Sequence, residues 1–167
     1  PVPHGSADDI LASGKEMYRT LSAETAEFID FMYENELLDV LSKDGKAPGG
    51  YCADIPAYGA PFIFSNFNGT AGDVDVLTHE AGHAFAAYRS FKKNYISSYQ
   101  SPTIEACEVH SMSMEFLTGE YHEKFFGEDT AKYEYNSTIP TFTLRFTDLH
   151  GELVDMDAFV FRSLLIY

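Results

Sequence analysis

The segment His79-Glu80-Ala81-Gly82-His83 constrains this chain more than any other feature. Histidines four residues apart lie one turn apart on the same face of an α-helix, so both imidazoles can converge on one ion. Zinc accepts such nitrogens at ~2.0–2.1 Å, and its catalytic sites keep one position open for water. Glu80 falls between the two histidines on the helical wheel, within reach of a proton on that water. Gly82 is costly in such a helix, by about 1 kcal/mol relative to alanine, so its presence there signals close approach by a neighbouring element. Ala81, Ala84, Ala86 and Ala87 keep the same helix slim.

A catalytic zinc needs a third protein ligand. A glycine at position 86 followed by a histidine at position 89 would supply it from the same segment, but the chain carries Ala86 and Arg89. The ligand must therefore come from elsewhere, and Ile104 to Ser111 offers Glu105 and Glu108, with Glu115 two turns further on. At 100° per residue Glu108, Met112 and Glu115 share one stripe and Glu105 sits off it. Spacing alone leaves the choice open. His110 falls on the opposite side from Glu108 and reads as a packed or exposed histidine.

The remaining elements follow from periodicity and turn chemistry. Ser6 with Asp8 and Asp9 starts a helix that runs to about Arg19. Ser22 and Glu24 open a second, on which Phe28, Ile29, Met32, Leu37, Leu38 and Leu41 are placed. Gly45 and Pro48-Gly49-Gly50 form a loop. Tyr51–Ala53 and Pro61–Phe67 read as strands, the second closed by Asn68-Gly69. Thr70 or Asp73 caps the histidine helix, which is expected to end near Tyr88. Phe91–Pro102 reads as a loop, Thr103 caps a helix reaching into the 120s, and Thr141–Thr147 alternates like a strand.

The net charge of −15 argues against nucleic acid and against an anionic membrane surface as partners. No apolar run approaches the roughly 18 residues of a membrane span. Cys52 and Cys107 have no metal-like spacing and read as two buried thiols of a cytoplasmic protein.

From Gly45 to Glu115 the chain resembles the oligoendopeptidase F branch of the thimet-oligopeptidase-like zinc metallopeptidases. The residues that carry the likeness are Gly45-Lys46-Ala47-Pro48-Gly49-Gly50-Tyr51-Cys52, Pro61 to Thr70, and Asp73 to His83. The family's third ligand lies 25 residues after the second histidine in a Glu-x-x-Ser setting, which here is Glu108-Val109-His110-Ser111. The resemblance therefore implies one Zn²⁺ on His79, His83 and Glu108, with Glu80 as general base. It also implies a mainly α fold with a small sheet, a zincin-type core and short peptides as substrates. A substrate strand would pair with the edge of the Phe62–Phe67 strand, placing Phe64, Ser65 and Asn66 near it, with Gly49, Gly50 and Tyr51 alongside. Glu105 and Glu115 are left as partners that hold the histidine rings.

Full-length members of that branch are several times longer, so the chain is expected to be incomplete and to lack the remainder of a larger peptidase. Residues 1–132 are expected to form the catalytic-core segment, and 133–167 a tail outside the family pattern. The family's oxyanion-stabilising histidine and tyrosines have no recognisable counterparts among Tyr133, Tyr135, His150 and Tyr167.

Overall fold

The computed structural model describes residues 2–93 and 96–130, together with the backbone of two short strands, β4 (Leu144–Thr147) and β5 (Leu153–Met156), which pair antiparallel. β4 matches the second half of the expected strand; residues 141–143 lie outside the described part, as do Tyr133, Tyr135, His150 and Tyr167.

Two helices open the chain, α1 (Ala7–Leu21) and α2 (Ala23–Glu34). Each begins at a serine whose side chain accepts the backbone N–H three residues on, while that residue's side chain accepts the serine N–H in return. Their apolar faces bury Ile10, Met17, Tyr18, Phe28, Ile29 and Met32, and Phe28 meets Phe85 and Tyr88 of the histidine helix.

The structure corrects the second helix. It stops at Glu34, and Leu38–Leu41 is a strand, β1. Glu36 takes a left-handed φ of 55°, its N–H donates to Tyr33 O and the Leu37 N–H donates to Met32 O. That pair of bonds around a left-handed residue is the Schellman ending, usually built on glycine. Here a glutamate occupies the position, so the stop carries no glycine signal.

β1 joins β2 (Tyr51–Ile55) and β3 (Ala60–Phe67) in a three-stranded sheet of order β1-β3-β2, parallel on one side of β3 and antiparallel on the other. Ile63, Ser65 and Phe67 of β3 are buried, whereas Phe62, Phe64 and Asn66 alternate onto the more open face. The loop before β2 is anchored by Lys46, whose ammonium donates to the carbonyls of Asp39 and Leu41 at 2.8 and 2.9 Å and sits 4.5 Å from the Phe64 ring centre.

Helix α3 (Ala71–Lys93) carries the two histidines and runs five residues past its expected end. The turn into it is tied on both sides. Asn68 Oδ1 accepts from the Thr70 hydroxyl at 2.7 Å, and the Asp73 carboxylate accepts the Gly69 N–H at 2.7 Å. These bonds set the rotational phase of α3 shortly before His79. A 3₁₀ turn, Ser97–Tyr99, interrupts the expected loop, and Thr103 caps α4 (Ile104–Thr118) through the Ala106 N–H. A short helix α5 (Glu123–Phe126) buries two phenylalanines beneath α1. The fold is mainly α with a small mixed sheet, as expected.

α3 and α4 pack against each other at Gly82. A Cβ there would lie 2.6 Å from Ser111 Cα and 2.8 Å from His110 O, both backbone atoms that cannot swing aside. Gly82→Ala should therefore destabilise the protein by about 1–3 kcal/mol, because overpacking outweighs the helix propensity gained. Thermal unfolding of the two proteins side by side checks this, and an unchanged or raised midpoint would contradict the close approach.

Candidate metal centre

His79 and His83 project from one face of α3, with ring centres 4.9 Å apart. Across from them α4 presents Glu108. His79 Nε2 lies 3.3 Å from Glu108 Oε2, and His83 Nε2 lies 3.8 Å from Glu108 Oε1. One ligand atom from each of the three residues falls within 4.8 Å of the others, and this is the one such group among the described residues. Tetrahedral bonds of ~2.0–2.1 Å separate neighbouring ligand atoms by about 3.4 Å, so these separations suit a zinc ion. The donor set of two imidazoles and a carboxylate suits it as well.

Two of the three candidate ligands are held by a further group. His79 Nδ1 is 2.6 Å from Glu115 Oε1, a bond that fixes which ring nitrogen carries the proton and leaves Nε2 for a metal. That bond, more than the burial opposing it, pushes the His79 pKa up. The Ser111 hydroxyl donates to Glu108 Oε2 at 2.9 Å, which explains the serine three residues after the glutamate. Glu105 does not join this shell: it is exposed at the start of α4, beside Thr103, where its carboxylate supports the helix terminus. His110 is half-buried and outside the ligand group, and burial together with His83 pulls its pKa down.

Glu80 points to the sheet. Its carboxylate is buried and faces the Cys52 backbone N–H of β2. Burial pushes its pKa up, while the His79 and His83 rings and that N–H pull it down. Sequence reasoning missed Cys52 as a partner of Glu80, because a backbone donor leaves no mark in the residue type. Both cysteines are free and half-buried rather than fully buried, and burial pushes the Cys52 thiol up to about 12.

The strand expected to receive a peptide is corrected by the topology. β3 is the central strand, with β1 on one side and β2 on the other, so its edges are already taken over most of its length. Among the described residues, the free edge beside the metal centre is that of β2. Ile63 turns its N–H to Leu37 O on the β1 side, so the opposite residue, Cys52, turns its own N–H and C=O outward, and Asp54 follows by alternation. Of the residues expected around a substrate, Tyr51 stacks on Phe64 at 5.0 Å and Asn66 Nδ2 donates to Gly49 O at 3.2 Å. Gly50 lies against the Ser65 hydroxyl. Gly49, Gly50, Tyr51, Phe64, Ser65 and Asn66 thus form one loop–strand patch, and none of them belongs to the ligand group.

The model of peptidase family M3 matches residues 22–145, well over half of the chain. The chain belongs to this family. Among solved structures it is similar to an oligoendopeptidase F from Bacillus anthracis at 61% identity, covering 81% of this chain and 25% of that one with a TM-score of 0.78. A second oligoendopeptidase F structure matches at 58% identity, with 81% and 24% coverage and the same TM-score of 0.78. Pz peptidase A, solved with an inhibitor, matches at 57% identity with 81% and 24% coverage and a TM-score of 0.78. The M3 chain therefore spans about a quarter of the length of these relatives. No match was found among curated proteins. No helix among the described residues is long and apolar enough to cross a membrane.

Proposed function

We propose that the chain carries the zinc-binding and catalytic core of an endopeptidase that hydrolyses internal bonds of short peptides. The observation that carries this reading is the convergence of His79, His83 and Glu108, with Glu80 on the same turn of helix. Bound there, zinc would supply Lewis acidity, lowering the pKa of a water and polarising the scissile carbonyl. The chain's own residues do the rest. Glu115 keeps the His79 ring oriented and Ser111 keeps the Glu108 carboxylate turned to the histidines. Glu80, raised in pKa by burial, takes a proton from water and delivers it to the leaving amine. The outward Cys52 C=O and Asp54 N–H on the free edge of β2 pair with the backbone of an extended peptide, which gives affinity tolerant of sequence.

The test is zinc content together with cleavage of an internally quenched peptide, beside a full-length M3 relative at equal zinc occupancy. About one zinc per chain and measurable cleavage abolished by a chelator are expected. A second reading is favoured by the quarter-length match: a zinc-binding core that is inert without the rest of the enzyme. Full zinc occupancy with no cleavage would select it.

A further inference from the structure

A cavity of about 490 Å³ opens beside the metal centre, between the free edge of β2, the second half of α3 and the Tyr99–Pro102 turn. His83 forms part of its wall, so a side chain lodged there belongs to a peptide whose backbone reaches the reactive site. Among the described residues that line it, Asp54 supplies the one carboxylate, and there is no lysine or arginine. The Ser101 hydroxyl donates to Asp54 Oδ2 at 2.7 Å, which orients the carboxylate. Tyr99, 72% exposed, adds an aromatic ring to the same wall. His110 contributes a buried Nδ1 that has no hydrogen-bond partner among the described residues.

We propose that this cavity is a specificity pocket for a basic side chain of the substrate peptide, arginine above all, with Asp54 as its determinant. The assignment rests on the peptidase reading for its substrate class. A carboxylate held in one orientation suits the planar fork of a guanidinium, which offers five donors and no acceptor. The remaining donors suit an acceptor such as the His110 Nδ1, and a buried polar atom gains most from acquiring a partner. The face of Tyr99 adds the aromatic contact that guanidinium favours over ammonium. Cys52 and Cys107 also line the wall.

The experiment measures binding, not turnover. A fluorescein-labelled hexapeptide with one arginine, and its neutral citrulline twin, are titrated into the zinc-loaded chain bearing Glu80→Gln, so that neither is cleaved. The arginine peptide should bind about tenfold more tightly, the lower range for a charge-assisted hydrogen bond at an open site. Asp54→Asn should bring the two within about twofold, and Asp54→Arg should favour a glutamate-containing twin instead. Ser101→Ala, which keeps the carboxylate, should lose part of the preference. Raising the salt to about 0.5 M should shrink it, because the contact is electrostatic. Equal binding of the arginine and citrulline peptides, a preference that survives Asp54→Asn in a folded protein, or no binding of any peptide would each overturn the pocket. Cleavage by the parent chain without an arginine preference would sink the pocket and leave the peptidase reading standing. An arginine preference without cleavage would do the reverse.

Discussion

Replacing Glu80 by glutamine should leave zinc bound at about one per chain and lower the rate of peptide hydrolysis by roughly 10²–10⁴-fold, the usual contribution of a positioned general base. Glutamine keeps the shape of the side chain and an oxygen to face the Cys52 N–H, so the local structure has no reason to change. What is lost is the affinity for a proton. The ligand group contains His79, His83 and Glu108 but not Glu80, so metal content and turnover should separate cleanly. The same substitution should leave KM within a few-fold, because an interaction made only in the transition state lowers kcat without touching substrate binding. Zinc lost from Glu80→Gln as readily as from His79→Ala would mean that Glu80 is a ligand and that the base lies elsewhere.

How much of this was legible in the residues depends on what each feature leaves in the sequence. The helix of His79 and His83 was plain, because two histidines four residues apart around a glutamate seldom fall together by chance. The close approach at Gly82 was legible too, since glycine in a helix interior is costly without a steric reason. Glu115 is named as a ring partner only together with Glu105, as the acids left once the resemblance assigns Glu108. The structure puts Glu115 2.6 Å from His79, while Glu105 stays exposed at the start of α4. Three features left no such trace. The end of α2 at Glu34 uses a left-handed glutamate in place of glycine, so Leu37, Leu38 and Leu41 read as a continuing helix. The order β1-β3-β2 depends on long-range pairing, and no local pattern in Phe62–Phe67 tells a central strand from an edge. The group of β2 that faces Glu80 is a backbone N–H, which every residue but proline possesses.

The acidic residues of α4 should separate into three ranks when zinc affinity is measured by competition with a chromophoric chelator. Glu108→Ala removes a ligand. Structural zinc sites gain roughly 10–16 kcal/mol from four ligands, so one ligand is worth about 3 kcal/mol, or on the order of 10²-fold in affinity. Glu115→Ala leaves all three ligands in place but frees the His79 ring to rotate and change tautomer, for which losses of about 10–100-fold are typical. The lower part of that range is expected, because α3 and α4 still hold His79 opposite Glu108. Glu105→Ala should leave affinity unchanged, since its carboxylate is exposed at the helix start and touches neither ring. Ser111 provides an internal control: Ser111→Ala removes the 2.9 Å bond to Glu108 and should weaken zinc, but less than losing Glu108 itself. The order matters more than any single value, because each residue differs in how directly it meets the metal. Wild-type zinc affinity in Glu108→Ala would show that the third ligand is wrongly assigned, and a loss in Glu105→Ala equal to that of Glu115→Ala would show that the ring partner is.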